Sequence, residues 1–245
     1  MADDAAPTMR GKVAVVTGGG SGIGAAIVHR LEAEGATCHA IGRRGPVKLD
    51  VSDWTAVQRF VDSLDRLDIL VCAAGDNVPA RRLEELTPAV WNHLIAVNLS
   101  GAFYFIRAGL DKLRSGPGDV VLIASVSGQW PDVSGPAYQA GKAGMIALGR
   151  AAGLEEHAHG IRFSVVNPGV VDTPMMLKRP VPPPPEVAAA MLQPDDVAAA
   201  CLMLLRLPRR AHVPELTILP TALQALGKTG VANPKPPPVG SGTSP

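Results

Sequence analysis

Apolar residues in this chain form two alternating patterns: short continuous runs, and longer stretches in which they recur every three or four positions. Short apolar runs that are rich in valine and isoleucine and end at turn residues are typical of strands buried on both faces of a sheet. The pattern therefore predicts strands at residues 12–17, 36–42, 67–75, 118–125, 161–169 and 213–219.

The longer stretches have the periodicity of helices that bury one face. Gly35 ends the first of them, Ser52 is a candidate N-cap of the second, and Thr87 with Pro88 opens the third. The predicted helices cover residues 22–35, 51–64, 87–113, 137–158 and 193–207.

Strands and helices alternate, so the connections are βαβ units and the sheet is expected to be parallel. We predict an α/β fold, with one doubly wound Rossmann-type domain over residues 11–226. Its mostly parallel sheet should have about seven strands, with helices on both faces. Ligands in such sheets bind beyond the carboxyl ends of the strands.

Two kinds of segment depart from this alternation. Residues 179–187 (RPVPPPPEV) cannot hold a regular helix or strand, because each proline lacks a backbone donor. Since this run lies between a strand and a helix, we interpret residues 174–193 as a substrate lid, mobile without ligand over 175–192. Residues 1–10 are an N-terminal tail, and the Pro/Gly/Ser-rich residues 227–245 are expected to be disordered.

Composition narrows the function classes. Apolar residues make up 47% of the chain and aromatic residues 4%, so alanine and aliphatic side chains must build the core. A net charge of +1 gives no strong electrostatic attraction for nucleic acid or for an anionic membrane. The arginines within residues 42–44 and 207–210 are not interleaved with aromatic residues on which bases could stack. The start of the chain has no apolar signal segment, and no apolar run approaches membrane-spanning length. We expect a cytoplasmic protein without nucleic-acid or membrane partners.

The cysteines and histidines do not suggest a metal site. Cys38, Cys72 and Cys201 are an odd set without short spacings, and each lies in an apolar run. His157 and His159 are two positions apart, so they do not share a helix face. We therefore expect neither a disulfide framework nor a bound metal.

Residues 17–24 (TGGGSGIG) lie between the first predicted strand and its helix. Glycines there let backbone amides approach a pyrophosphate, and the helix N-terminus favours its negative charge. The alternative is an ordinary tight strand-to-helix turn. Because the loop joins a strong strand to a strong helix, we favour a nucleotide site.

Tyr138 and Lys142 are four positions apart in AYQAGKAGM, which puts both side chains on one helix face. Ala140, Gly141 and the small residues after Lys142 leave room for a group to lie close to that face. For the motif alone, a tyrosine packed on a lysine stem is the ordinary interpretation.

A set of motifs in a fixed order changes that interpretation. They are TGGGSGIG (17–24), CAAG (72–75), VNLSG (97–101), ASVSG (124–128), YQAGK (138–142) and NPGVVDTP (167–174). In this order they resemble the short-chain dehydrogenase/reductase family, from about Lys12 to Thr221. The residues at that family's catalytic positions are Asn98, Ser125, Tyr138 and Lys142. One departure is Cys72, where the family usually has an asparagine that stiffens the sheet beside the cofactor.

The resemblance implies hydride transfer between a nicotinamide cofactor and an alcohol or carbonyl carbon. Tyr138 would be the acid/base, and the Lys142 cation would lower its phenol pKa and bind the nicotinamide ribose. Ser125 would polarise the substrate oxygen, and Asn98 would hold a water that links Lys142 to solvent. The cofactor contacts implied are Gly18, Ser21, Gly22, Ile23, Gly24, Arg43, Arg44, Asp50, Val51, Ala73, Ala74, Gly75, Tyr138, Lys142, Pro168, Gly169, Val171 and Thr173.

The turn after the second strand indicates a preference for NADP(H), with NAD(H) possible. An acidic residue at the end of this strand binds the adenosine ribose of NAD, but here the position is Gly42. Arg43 and Arg44 follow and could bind a 2′-phosphate. The alternative is two solvated arginines in a short turn.

We therefore predict an NAD(P)-dependent oxidoreductase that interconverts a secondary alcohol and a ketone or aldehyde. A non-catalytic NAD(P)-binding regulatory module is the main alternative, and an epimerase or dehydratase of the extended branch is the second. The substrate, a small alcohol or carbonyl compound, is expected to contact Gln129, Trp130 and Val133. The apolar surplus on helices 88–114 and 137–158 suggests a homodimer or homotetramer.

Overall fold

The computed structural model describes residues 9–43 and 45–223 of the chain. Most of the predicted N-terminal tail, the whole C-terminal tail and Arg44 therefore lie outside the described residues. The strands are β1 (Val13–Thr17), β2 (Thr37–Ile41), β3 (Ile69–Cys72), β4 (Asp119–Ile123), β5 (Arg162–Pro168) and β6 (Glu215–Ile218). The helices are α1 (Gly22–Ala33), α2 (Trp54–Asp62), α3 (Pro88–Ile95), α4 (Gly101–Arg114), α5 (Pro136–Glu156), α6 (Pro185–Ala188) and α7 (Pro194–Arg206).

The strands form one parallel sheet in the order β2-β1-β3-β4-β5-β6. The chain passes from β1 to β2 on one side and returns to β3 on the other, so the strand order reverses beside β1. This is the doubly wound topology that the alternation of elements predicts, and ligands bind at such a reversal.

The sheet of the described residues has six strands, one fewer than the approximate number expected. After β2, Val47 forms only a single parallel bridge with Ile41. The turn at Gly42 is tight: the Gly42 amide donates to the Val47 carbonyl at 3.0 Å, and the Val47 amide donates to the Ala40 carbonyl at 3.1 Å. A full parallel strand needs a crossover of about a dozen residues, usually a helix. None of the described residues between Ile41 and Asp53 is helical, so only a bridge forms.

Side chains of the strands alternate between two apolar clusters, one on each face of the sheet. Leu70 packs in a cluster with Phe105 of α4 and Met145 of α5. Its neighbour Val71 packs on the other face, in a cluster that includes Leu31 of α1. Full burial of one such aliphatic or aromatic side chain stabilises the fold by about 1.5–3 kcal/mol. The helices are thereby held against both faces, and the sheet edge carrying the carboxyl ends is left for a ligand.

The long predicted helix 87–113 is present, but a π-helical turn at Ala96–Ser100 interrupts it between α3 and α4. By length and composition alone, Pro88–Arg114 could cross a membrane, so the expectation that no apolar run approaches that length was wrong. In this fold Leu94 and Phe105 of the segment are buried, whereas Trp91 and Phe103 are partly exposed.

The cap geometry corrects one local expectation and confirms another. Asp53, not Ser52, is the N-cap of α2, and its carboxylate accepts from the Ala56 amide at 3.0 Å. The Ser52 amide and hydroxyl instead both donate hydrogen bonds to the Asp50 carboxylate. A carboxylate caps a helix as well as a hydroxyl does, so adjacent Ser and Asp residues are hard to separate by sequence. Thr87 caps α3 as predicted.

The segment interpreted as a lid has more regular structure than its prolines suggested. Pro174–Lys178 forms a 3₁₀ turn, and α6 begins at Pro185, so the expectation of no helix in 179–187 was wrong. Proline is accommodated in the first turn of a helix because the missing amide has no intrahelical partner there. After α6, Met191 packs in a small apolar cluster of its own.

Candidate active site

A cavity of about 850 Å³ opens at the carboxyl ends of β1, β3, β4 and β5. Its walls come from the glycine-rich loop after β1, the segments after β3 and β4, the start of α5, and the lid after β5. Pockets for small ligands commonly have volumes of about 300–1,000 Å³. The cavity therefore lies where the topology predicts a ligand and is large enough for one.

The loop after β1 has the backbone of an anion cradle. Gly18 and Gly22 have φ angles of +70° and +52°, a region that favours glycine. A Cβ atom on Gly18 would lie 2.9 Å from the Ala73 backbone, so a side chain would also crowd the adjoining strand. Ser21 makes no side-chain cap on α1, which leaves the first amides of the helix to face the cavity. This cradle fits the pyrophosphate of a dinucleotide.

Lys142 is the buried cation of the site. Its side chain is 3% exposed, and its Nζ donates to the Ile123 carbonyl at 2.8 Å. The same Nζ lies 5.7 Å from the centre of the Tyr138 ring, so α5 brings the two side chains together as their spacing predicts. Burial lowers the pKa of the Lys142 ammonium to about 8.

The pKa of the Tyr138 phenol lies above its ordinary value, contrary to the expectation that Lys142 lowers it. Burial raises the pKa of the Tyr138 phenol to about 12. A hydrogen bond with Ser125 and the charges of Arg81 and Arg179 act in the opposite direction but do not offset burial. The phenol is therefore held in its protonated, donating form.

Ser125 follows β4 and adopts an extended conformation that starts a 3₁₀ turn. Its Oγ accepts from the Ser127 amide at 3.1 Å, which fixes the hydroxyl beside Tyr138. The oxygen keeps its own proton to donate, as a group that polarises a substrate oxygen must.

Asn98 lies behind the cavity wall and is fully buried. Its amide nitrogen donates to the carbonyls of Asp76 and Leu94, at 2.8 and 2.9 Å, and its oxygen accepts from the Asp76 amide at 3.1 Å. The side chain thus ties the π turn to the segment after β3. A Cβ on Gly75 would lie 3.1 Å from the Asn98 oxygen and 3.5 Å from the Lys142 Nζ, so a side chain here would press on the Asn98 amide. The water relay through Asn98 stays a prediction.

The small residues around Lys142 serve a purpose different from the one expected. A Cβ on Gly141 would lie 2.9 Å from the Asn98 Cβ, and one on Gly144 would lie 2.7 Å from a Leu99 methyl. The room left by these glycines is therefore filled by the π turn.

The predicted cofactor residues come together along this one cavity. Every one of them except Arg44, which is outside the described residues, lines its wall. Arg43 lines the cavity at the turn after β2, and its guanidinium is 3.6 Å from the Asp76 carboxylate. Hydrogen bonds from Ser52 lower the pKa of Asp50, so this carboxylate is ionised near neutral pH.

The predicted substrate residues are only partly assembled. Val133 lines the cavity, but Gln129 and Trp130 are not among its lining residues, and Gln129 instead accepts from the Thr217 hydroxyl at 3.2 Å. Several charged residues that were not predicted from the sequence also line the cavity. They are Asp76, Arg81, Asp132, Lys178 and Arg179.

No cluster of three or more His, Cys, Asp or Glu residues suited to a metal occurs within residues 9–43 and 45–223. The cysteines at 38, 72 and 201 are free thiols. Cys72 is fully buried, and burial raises the pKa of its thiol to about 12.

Comparison with known proteins identifies the family. A sequence profile described as short chain dehydrogenase matches residues 12–181. The chain belongs to the short-chain dehydrogenase/reductase family. Over 203 residues it is 32% identical to the (3R)-3-hydroxyacyl-CoA dehydrogenase of Rattus norvegicus, an alignment that covers 70% of this chain and 78% of that protein.

Solved structures of the family have the same fold. The 3-ketoacyl-(acyl-carrier-protein) reductase of Brucella melitensis, solved with NADH, superposes with a TM-score of 0.78 at 23% identity over 87% of this dehydrogenase and 99% of that chain. The closed form of a serine dehydrogenase complexed with NADP⁺ gives a TM-score of 0.76 at 25% identity. This superposition covers 84% of the present chain and 94% of the serine dehydrogenase. This protein is thus a dehydrogenase/reductase that uses a nicotinamide cofactor and acts on alcohol groups.

Proposed function

We propose that this short-chain dehydrogenase interconverts a secondary alcohol and a ketone or aldehyde, with Tyr138 as the acid/base. One observation carries the proposal: Tyr138, Ser125 and Lys142 line the same cavity as the glycine cradle. When bound there, the nicotinamide would supply or accept the hydride. The protein's side chains have to position the substrate oxygen and move its proton.

In the direction of reduction, the hydroxyl groups of Ser125 and Tyr138 would both donate to the carbonyl oxygen. As negative charge develops on that oxygen, Tyr138 transfers its proton. A raised phenol pKa suits this donor, because the proton stays on Tyr138 until the substrate oxygen becomes basic. The Lys142 cation, held by the Ile123 carbonyl, stabilises the phenolate that remains.

We also propose that NADP(H) is preferred over NAD(H). Support comes from Gly42 and Arg43, which both line the cavity wall at the turn after β2. Gly42 presents no carboxylate to repel a 2′-phosphate. The side chain of Arg43 is 63% exposed, so its guanidinium can turn from Asp76 to a phosphate at little cost.

A screen of small alcohols, ketones and hydroxy acids with NADP⁺, NADPH and their NAD counterparts tests the proposal. We expect NADPH fluorescence to change on binding and at least one substrate to show hydride transfer by absorbance of the reduced cofactor. Cofactor binding without turnover of any compound would favour the alternative, a non-catalytic regulatory module. Absence of cofactor binding would contradict both.

A further inference from the structure

One carboxylate of the cavity has no part in the proposed hydride and proton transfer. Asp76 lies in the segment after β3 and lines the cavity, and its side chain is only 10% exposed. Burial raises the pKa of this carboxyl, but hydrogen bonds from Lys178 and His93 more than offset it, so the group is ionised near neutral pH. A buried carboxylate is costly unless its partners compensate the charge, so those partners show what Asp76 holds in place.

The two oxygens of the Asp76 carboxylate contact different parts of the protein. Oδ1 accepts from the Lys178 ammonium of the lid and from the Asn77 amide, the latter at 2.8 Å. Oδ2 lies 3.6 Å from the Arg43 guanidinium, at the turn after β2, and 3.3 Å from Nε2 of His93 on α3. One carboxylate thus joins the lid to the turn at which we propose that the 2′-phosphate binds.

The backbone of Asp76 is held independently of its carboxylate. Its amide donates to the Asn98 side-chain oxygen at 3.1 Å, and its carbonyl accepts from the Asn98 amide nitrogen at 2.8 Å. The carboxylate can therefore change partners while the residue itself stays in place.

The two cations that share this carboxylate are far more exposed than it is. The side chains of Arg43 and Lys178 are 63% and 45% exposed. Two cations beside one carboxylate repel each other, so each weakens the net attraction that draws the other to this site. Removal of the Arg43 guanidinium from Asp76 would therefore strengthen the ion pair between Asp76 and Lys178.

We propose that Asp76 is a positioning residue that makes closure of the lid depend on the 2′-phosphate of the cofactor. A phosphate bound by Arg43 draws the guanidinium away from Asp76, whose carboxylate then holds Lys178, and with it the lid, more firmly. The inference rests on the proposed preference for NADP(H) and adds a consequence to it. The substrate beneath the lid is bound more tightly when the cofactor is NADP(H) than when it is NAD(H).

Two fragments of the cofactor test this link, because neither contains the nicotinamide. Adenosine 2′,5′-bisphosphate carries the 2′-phosphate, and adenosine 5′-monophosphate does not. The affinity of each for the full chain is measured by calorimetry, and thermolysin cleavage within residues 175–192 is followed at saturation. We expect the bisphosphate to slow this cleavage about two- to fivefold relative to the monophosphate, the scale of a partly exposed ion pair.

Arg43→Met gives a prediction of distinctive sign, since it removes an ion pair and should nevertheless tighten the lid. Without ligand, this variant should be cleaved about two- to fivefold more slowly than the parent, and the 2′-phosphate should have no further effect. Asp76→Asn keeps the shape of the side chain and the backbone bonds to Asn98. It should be cleaved faster than the parent and should show no difference between the two fragments.

Glu84→Gln is the matched control for Asp76→Asn. Glu84 lies in the same segment between β3 and α3, and its exposed carboxylate is 3.6 Å from the Arg82 guanidinium. Its removal takes away one negative charge without touching Arg43 or Lys178, so we expect the parental difference between the fragments.

The same link is measured in turnover with a substrate from the screen. In the parent, KM for that substrate should be about two- to fivefold lower with NADP(H) than with NAD(H), and Asp76→Asn should abolish this difference. A merely structural role of Asp76 would raise KM with both cofactors alike and leave their ratio unchanged.

The outcomes separate this inference from the proposal on which it rests. Fragments that bind with equal affinity would contradict the preference for NADP(H), and the inference with it. Tighter binding of the bisphosphate without slower cleavage would overturn the inference alone, as would an Arg43→Met variant that is cleaved as fast as the parent. A difference between the fragments that is lost in Asp76→Asn and kept in Glu84→Gln would support it.

Discussion

At the scale of single residues, the site depends on how burial changes ordinary side chains. Lys142 and Tyr138 are neighbours on one face of α5, as their spacing predicts. Their pKa values, however, follow from the cavity: burial lowers that of Lys142 to about 8 and raises that of Tyr138 to about 12. The spacing in the sequence predicts that Tyr138 and Lys142 are neighbours. It does not predict how strongly the two side chains are desolvated, because the residues that bury them come from distant parts of the chain.

The choice of cofactor also belongs to this scale. We expect the parent protein to use NADP(H) with about ten- to a hundredfold higher kcat/KM than NAD(H), because a charge-assisted phosphate contact contributes roughly 1.5–3 kcal/mol. The double variant Gly42→Asp, Arg43→Ala should shift the preference toward NAD(H). Arg66→Ala, which removes an exposed arginine bound to Asp68, is the control. Equal parental efficiency, or a double variant without a shift, would show that the turn after β2 does not set the preference.

Residues within the motifs could be predicted from sequence, as could a few outside them such as Asp50 and Val133, whereas the charged residues of the lid and of the segment after β3 were missed. Ser125, Tyr138, Lys142 and the glycine loop were expected to meet, and they line one cavity. Arg81 and Arg179 were missed because they stand far apart in the chain and only the fold of the lid brings them together. One feature of the sequence could have indicated that Arg179 lines the cavity: it begins a proline-rich segment that follows a strand.

At the scale of elements, the lid is the part whose behaviour remains a prediction. It is fastened to the body by the Lys178–Asp76 ion pair and by the bond from Arg81 to the Lys178 carbonyl. Its far end is joined by the bridge between Val171 and Leu192. The sequence predicts an irregular segment here. It does not predict these contacts with the rest of the domain, because the ion pair and the hydrogen bond join residues that are distant in the chain.

We expect thermolysin to cleave within residues 175–192 and to do so more slowly when NADPH and a substrate are bound. Lys178→Gln should speed cleavage of the free protein by up to about fivefold, because a partly exposed ion pair contributes about 0.2–1 kcal/mol. Lys112→Gln, on α4, is the matched control. Cleavage that ligands do not slow would contradict a lid over the site.

At the scale of the whole molecule, the fold follows from the alternation of strands and helices, and its exposed surface suggests assembly. Trp91, Phe103 and Leu154 lie on α3, α4 and α5 with 39%, 46% and 75% of their surface exposed. We propose that these helices pair in a homodimer or homotetramer. The sequence indicated the surplus of apolar residues on these helices but not which of them stay uncovered.

Light scattering at micromolar concentration should therefore show a species of at least twice the chain mass of 25.4 kDa. Phe103→Arg should shift it toward the monomer, since a charge in an apolar interface is costly. Met203→Arg is the matched control, because Met203 has the same 46% exposure but lies on α7. A parent protein that runs only as a monomer would refute this assembly.

The central claim, that Tyr138 is the acid/base of a nicotinamide-dependent dehydrogenase, is tested most directly by comparing the chain's two tyrosines. Tyr138→Phe should keep the parental circular dichroism and NADPH affinity but lose at least about a hundredfold in kcat, the usual contribution of general acid/base catalysis. Tyr104→Phe, in which the other phenol is removed, should keep the parental kcat. Near-parental turnover by Tyr138→Phe would contradict the account.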